Sequence, residues 1–436
     1  MKPEKKQYEA QGELFKVELT RLVAPGHVLV RLADKIDWES FDKKFEKHYR
    51  EEGRPGVETR LMVSLHYLKY LEDLSDEETV KKWTENPYWQ YLSGRQYFEH
   101  ELPIDSSSMT RWRHRIGEEG AEELLKQTIQ TGIRAGYVKR TDCVRVNVDT
   151  TVQPKNVRFP TDARLYDRMR ERLVKQARAE GISLRQSYDR VGKQCLRRQQ
   201  NYSHARQPGR SKRETKKLKT LLGRVIRDIE RKAVAAGSLA RMLTLAKRLC
   251  EQEKDSKNKI YSIHEPQVQC IAKGKVHKKY EFGNKAGYVT SARGNWILGA
   301  IGFTSNAYDG HTLGINLNQA EKMTGIEIAQ AVVDKGYRGH NLAGRNVLIV
   351  PRKKKHASRS IQKWWKRRSA IEPIIGHQKS EHRLDCNRLY HDIGDQLNPI
   401  LSACGFNFKK LMRAFFAYIR FRVQDGYELN LLVSVA

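Results

Sequence analysis

The spacing of apolar residues changes along this chain, and each change marks a different kind of segment. Up to about residue 140 the apolar positions recur at three and four, most plainly in Arg60-Leu-Met-Val-Ser-Leu-His-Tyr-Leu-Lys-Tyr-Leu71, which predicts a mostly helical part. Ser75-Asp-Glu-Glu78 has the form of a capping box that opens the next helix, and Trp83, Tyr88, Trp89 and Tyr91 are expected to pack these helices together. Pro103-Ile-Asp105 then starts a short helix carrying Arg111, Trp112, Arg113, His114 and Arg115. After Gly136 the period drops to two. Cys143-Val-Arg-Val-Asn-Val-Asp149-Thr-Thr-Val152 alternates like a strand, with Asp149 near its end.

From Pro160 to about Asn258 the helical period returns in a polar, arginine-rich segment broken at Gly181, Pro208-Gly209 and Gly237. Leu218, Leu221, Leu222, Val225, Ile226 and Ile229 form one apolar stripe; Leu239, Met242, Leu243, Leu245, Ala246 and Leu249 form another. Strands are predicted again at 268–273, 280–290 and 295–303, with glycines marking turns or bulges. Asp309 reads as the cap of a helix from about Thr312 to Thr324, although it is also a rival metal ligand on paper. A strand at 328–333 runs into Asp334-Lys-Gly-Tyr337-Arg-Gly339, an acid at a strand end followed by a glycine loop. A last strand at 346–351 precedes the basic run Arg352–His356 and a helix through Trp365, and a further helix, Asn398–Phe416, is expected to close the core.

Charge sharpens this division. The 436 residues suffice for two or three domains with real cores, and the formal net charge of +31 implies attraction to a polyanion without specifying a fold. The excess is not spread evenly. Residues 1–140 hold 24 basic and 25 acidic side chains, whereas 151–260 hold 30 and 11, and 351–383 hold 11 and 2. A long basic helical insertion, with Arg197, Arg198, Lys216 and Lys217 among its outward cations, suits a clamp along a phosphate backbone better than a solvated hairpin. The arginines at 111–115 read either as a recognition helix, with Arg111 and Arg113 aimed at a groove, or as an exposed face anchored by Trp112. No run of about 18 apolar residues and no apolar leader follows Met1, so a soluble, unexported protein is expected. Six scattered cysteines with no C-x2-C pair argue against a structural zinc site or a disulfide framework.

The candidate chemistry lies in Trp365-Lys-Arg-Arg368-Ser-Ala-Ile-Glu372-Pro-Ile-Ile-Gly-His-Gln-Lys379. On one helix Trp365, Arg368 and Lys379 would fall within roughly 40° of Glu372, leaving a lone carboxylate among cations. Such a face suits a divalent metal beside a phosphate backbone; a solvated basic face with Glu372 as its counter-charge is the plainer alternative. Pro373 predicts that the helix is kinked at Glu372 or starts close to it. Together with Asp149 and Asp334 the chain offers three acids, from two strands and a helix. Three carboxylates suit two magnesium ions in phosphoryl transfer, with manganese able to substitute, and nothing offers zinc its usual cysteine and histidine set. The element order is that of an α/β, RNase H-like mixed sheet with flanking helices, a basic helical insertion at about 160–258 after the first strand, and an all-α N-terminal domain. The expected division is 1–140 for that helical domain, 141–425 for the catalytic domain and 426–436 for a tail.

Asp149-Thr-Thr, Asp309-Gly-His-Thr-Leu313, Asp334-Lys-Gly-Tyr-Arg-Gly339 and Arg367-Arg-Ser-Ala-Ile-Glu-Pro-Ile-Ile-Gly-His-Gln-Lys379 resemble the motifs of DDE transposases from bacterial insertion sequences of the IS-five group. The resemblance runs from about residue 20 to 420. It implies that Asp149, Asp334 and Glu372 are the metal-binding triad and that Arg368 and Lys379 hold DNA. Trp365 stands where a related supergroup has tyrosine, which keeps a ring for stacking and removes a hydroxyl. Tyr337 either braces a displaced base or packs on the sheet. The implied activity is magnesium-dependent cleavage at the element's terminal inverted repeats and joining to target double-stranded DNA. The implied protein is a homodimer on paired ends, in the bacterial cytoplasm at the nucleoid. A non-catalytic or domesticated nucleic-acid-binding protein and an RNase H-like nuclease without strand transfer are the alternatives.

Overall fold

The computed structural model of the chain describes residues 16–49, 52, 55–232, 237–253, 255–272, 279–351 and 357–433. The basic run Arg352–His356 lies outside the described residues. The chain forms two compact units: Met1–Pro154 with Lys285–Ala436, and Lys155–Asn284.

In the first unit α1 (Leu19–Leu22), α2 (Val28–Lys35) and α3 (Trp38–Phe45) lead to α4 (Thr59–Leu71). The spacing in α4 predicts one apolar face, but Leu61–Leu71 is buried on every side, including Ser64, His66 and Lys69. Its polar groups therefore need internal partners. His66 Nδ1 meets the Met62 carbonyl at 2.7 Å and Lys69 Nζ donates to Asp76 Oδ1 at 2.5 Å. The Ser75 capping box forms as expected and opens α5 (Asp76–Glu85), followed by α6 (Pro87–Leu92). Trp83 and Trp89 are buried, with Tyr88 and Tyr91 packed partly buried on the same core.

The helix expected to be short is α7 (Ser106–Arg134), 29 residues with a break at Gly117, whose φ of 59° lies in the left-handed region that glycine tolerates. Arg111 is exposed, but Arg113 is 3% exposed and forks onto Asp76 at 2.8 and 2.5 Å. Arg113 is thus a core cation rather than a groove-reading one, because a buried acid lies opposite it.

After α8 (Arg140–Cys143) comes β1 (Arg145–Pro154), and the unit is completed by β3 (Tyr280–Ser291, entering from the second unit), β4 (Ile297–Gly302), α13 (Asp309–Thr324), β5 (Gln330–Val333), β6 (Val347–Ile349), α14 (Arg359–Arg368), α15 (Ile371–Glu381) and α16 (His391–Val433). The strand order is β4-β3-β1-β5-β6; β3 and β4 are antiparallel, while β1, β5 and β6 run parallel. α16 seals this sheet and the N-terminal helices into one core through Leu397, Ile400, Leu401, Phe408 and Leu411. Gly405 permits the close approach to α4, since a Cβ there would lie 2.5 Å from the Tyr70 carbonyl. The expected boundary at residue 140 is therefore not a boundary between cores, and α16 continues to Val433, into the segment expected to be a tail, whose last residues, 434–436, lie outside the described ones.

The second unit holds α9 (Asp162–Ala179), α10 (Asp189–His204), α11 (Pro208–Lys232), α12 (Gly237–Glu251) and β2 (Gln269–Ala272), which pairs antiparallel with 280–283 of β3. The two predicted stripes meet: Leu218, Leu222, Val225 and Ile229 of α11 pack with Leu239, Leu243 and Leu249 of α12 and with Met169 and Leu173 of α9. Among the described residues the insertion is thus four helices with their own core, not a bare hairpin. Some of its charge is internal, since buried Arg170 pairs with Asp167 and Asp189, both at 2.8 Å.

Candidate active site

Strand register sets the first two acids side by side. β1 and β5 align Arg145 with Gln330, Val146 with Ala331 and Asn147 with Val332, so the same offset carried two residues on sets Asp149 beside Asp334, on strands roughly 4.8 Å apart. Asp149 is not near the end of its strand as predicted, because β1 runs on to Pro154. The pairing with β5 nevertheless stops short of it, which leaves its carboxylate at an opening in the ladder. Asp334 follows β5 directly and caps the turn Lys335–Tyr337, its Oδ1 accepting the Gly336 N–H at 2.8 Å.

The third acid comes from α15. Glu372 is the second residue of that helix, and Pro373 sits in the first turn, where its missing N–H breaks no helical bond. The single stripe predicted for Trp365, Arg368, Glu372 and Lys379 is accordingly split, with the first two on α14 and the others on α15. The split still brings charge together. The Arg368 guanidinium lies 2.7 Å from Asp149 Oδ2, 3.1 Å from Glu372 Oε1 and 3.7 Å from Asp334 Oδ2. One cation thus touches all three predicted acids.

Asp309 joins them from another side. It is the first residue of α13 rather than its cap, the cap position being Tyr308, whose side chain makes no capping bond. Its Oδ1 accepts from Thr150 Oγ1 at 2.6 Å and from Lys285 Nζ at 2.9 Å. Gly336 leaves room for two carboxylates: a Cβ there would stand 3.0 Å from Asp334 Oδ1 and 3.2 Å from Asp309 Oδ2. Sequence reading preferred the cap, and it missed Thr150 and Lys285. The adjacency of Thr150 to Asp149 was a usable signal; nothing local marked Lys285.

Tyr337 is fully buried, which corrects the expectation that it could brace a displaced base and leaves the packed alternative. Among the described residues its hydroxyl has no hydrogen-bond partner, and the charges of Asp149, Asp309 and Asp334 bear on it. Trp365 is half-buried against Ala292, Val332 and Trp364, with its indole N–H buried and without a partner among the described residues. Lys379 is half-buried on α15.

The electrostatics follow from shelter. Burial pushes the Asp149 carboxyl up to about 6, helped by Asp334 and Asp309 and opposed by Arg368. Among the described residues no three acids stand at metal-ligand spacing as the chain is found. The donor set itself fits a hard divalent ion, being all carboxylate oxygen, and the cation already held between the three acids is a guanidinium.

In the second unit Arg197, Arg198, Lys216 and Lys217 are all exposed, with Lys217 paired to Glu214 at 2.9 Å. A cavity of about 420 Å³ there is lined by Thr161, Tyr166, Gln199, Lys212, Lys216 and Lys219.

Residues 17–115, from α1 to just before the break in α7, match the family described as Transposase domain (DUF772). Over 197 residues the chain is 51% identical to the uncharacterized protein ORF8 in the nfe locus of Rhizobium meliloti, covering 45% of this chain and 95% of that protein. The chain belongs to a transposase family. No solved structure matches this transposase-family chain. Among its described residues no helix is long and apolar enough to cross a membrane.

Proposed function

We propose that this chain is a DDE-type DNA transposase that cleaves the ends of an insertion sequence and joins them to target DNA. The observation that carries this reading is the convergence of Asp149, Asp334 and Glu372, from two adjacent parallel strands and a helix, on the single guanidinium of Arg368. The strand order β4-β3-β1-β5-β6, with an antiparallel hairpin on one side and parallel strands on the other, supports an RNase H-like catalytic fold. Two magnesium ions held by these carboxylates would activate a water or a 3′-hydroxyl and stabilise the oxygen that leaves phosphorus.

The chain's own residues do the rest. Asp149, sheltered in the sheet, presents Oδ2 to the guanidinium at 2.7 Å, the place a harder cation would take. Arg368, released from the carboxylates, carries a forked donor suited to a phosphate oxygen pair, and Lys379 adds a second cation from the same helical pair. The exposed cations of α10 and α11 give the second unit a sequence-independent hold on a phosphate backbone. A dimer on paired ends and nucleoid association belong to the same reading.

Purified protein mixed with labelled duplex carrying an element end, with magnesium, tests the proposal. Cleavage plus joined products is expected. Cleavage without joining would leave a nuclease. Binding without cleavage would favour the non-catalytic reading, in which Arg368 stays between the acids as a fixed counter-ion.

A further inference from the structure

We infer that Asp309 is a positioning residue for the Asp149 carboxylate, acting through Thr150; the inference rests on the transposase reading above. Thr150 is bonded at both ends. Its hydroxyl donates to Asp309 Oδ1 at 2.6 Å, while its backbone N–H donates to Asp149 Oδ1 at 2.9 Å. That second bond fixes one carboxylate oxygen of Asp149 and leaves Oδ2 to face Arg368, 2.7 Å away. Any ion that replaces the guanidinium meets an oxygen whose direction Thr150 has set.

Asp309 is itself held tightly. Lys285 Nζ donates to its Oδ1 at 2.9 Å and to the Ala307 carbonyl at 2.7 Å, which neutralises a fourth carboxylate beside three others. A side chain so anchored is a support rather than a free ligand. Gly336 maintains the arrangement by leaving space that Asp334 and Asp309 share. Outer residues that orient a ligand carboxylate are worth about 10- to 100-fold in metal affinity.

The test is Mn2+ binding to the full chain without DNA, read from the loss of the free-ion electron paramagnetic resonance signal, with cleavage measured alongside. Asp309→Ala and Thr150→Val should each weaken binding by about 10- to 100-fold. Their double variant should be no weaker than the worse single one, because both cut the same chain of contacts. Thr150→Ser and Asp309→Asn, which keep the donor and the acceptor, should restore most of the affinity. A purely structural role would lower thermal stability without this non-additive pattern or the rescue. Thr150→Val leaves the Lys285 pair intact, so it carries the test even where Asp309→Ala does not fold.

Wild-type affinity in Thr150→Val overturns the inference, as do effects that multiply in the double variant; Asp309 would then act on the ion directly or not at all. A wild-type chain that cleaves and binds Mn2+ while both single variants match it sinks the inference alone. A wild-type chain that neither binds Mn2+ nor cleaves sinks the transposase reading and the inference together.

Discussion

Replacing Arg368 with glutamine removes a cation shared by the three acids, and the effect should depend on both pH and divalent ions. Its three ion pairs are unequal. Arg368 and Asp149 are only 13% and 17% exposed, whereas Asp334 and Glu372 are 44% and 62% exposed. The two outer pairs are screened by water and are each worth about 0–1 kcal/mol. Stranding the sheltered Asp149 charge dominates, at about 3 kcal/mol, the low end of what the loss of one partner of a buried pair costs. Asp149 escapes part of that penalty by taking up a proton. Burial already holds its folded pKa above the ordinary 3.8, at about 6, and without Arg368 it rises further.

The sign follows from that direction. A carboxyl whose folded pKa exceeds its unfolded one costs stability only where it is ionised, so the penalty is absent below about pH 4 and grows as pH rises through the window above it. Urea unfolding of Arg368→Gln, followed by tryptophan fluorescence, should show a loss of about 3 kcal/mol at pH 7.5 and a smaller one at pH 5. Millimolar magnesium should recover most of the loss in the variant, because a divalent cation takes the vacated place, and should help the wild type less. An equal loss at both pH values, unchanged by magnesium, would mean that Arg368 is an ordinary structural cation and that the acids do not form a cation site.

Asp149→Asn should abolish cleavage yet stabilise the metal-free chain by up to about 3 kcal/mol above pH 6, with the gain vanishing below about pH 4; thermal scans against pH check it, and a destabilised variant at pH 7.5 would contradict it. Glu372→Gln and Asp334→Asn should likewise end cleavage while leaving salt-sensitive DNA binding, and full activity in either would remove that residue from the triad. Neutralising Arg197, Arg198, Lys216 and Lys217 together should flatten the salt dependence of DNA binding by about one unit of slope per lost phosphate contact; an unchanged slope would take the second unit off the DNA. Arg113→Met should cost about 1–3 kcal/mol, because Asp76 loses its forked partner and keeps only Lys69 as its cation among the described residues, with no change in that salt slope.

How far these features could be read in advance depended on how local their causes are. Asp149 and Asp334 were legible because alternation and a glycine loop mark them within a few residues of chain. Their juxtaposition was not, since it depends on which strands pair and in what register. Glu372 and Arg368 stood out by composition, but a helix read through Pro373 put them on one stripe, and the observed break at Ser369-Ala370 gives them a different route to the same contact. Asp309 looked like a cap because an acid at a helix start is stabilised by the helix dipole whatever its partners are. Only the arrival of Lys285 and Thr150 from other strands decides where it points.

Arg113 failed for a similar reason. The run Arg111–Arg115 reads as surface, and the acid that draws one of its arginines inward lies on another helix. The buried polar groups of α4 were hidden as well, because spacing at three and four is shared by helices buried on one side and on all sides. Charge marked the second unit well, since basic composition and core stripes change together there. The N-terminal helices and the sheet share a core with no compositional seam, so a boundary at residue 140 had nothing to oppose it in the sequence.

Anomalous diffraction from crystals of the full chain grown with Mn2+ addresses the central claim most directly. A manganese peak bounded by Asp149, Asp334 and Glu372, with the Arg368 side chain displaced from among them, is the predicted result. Saturating Mn2+ with no peak there, and Arg368 still bridging the three acids, would contradict it.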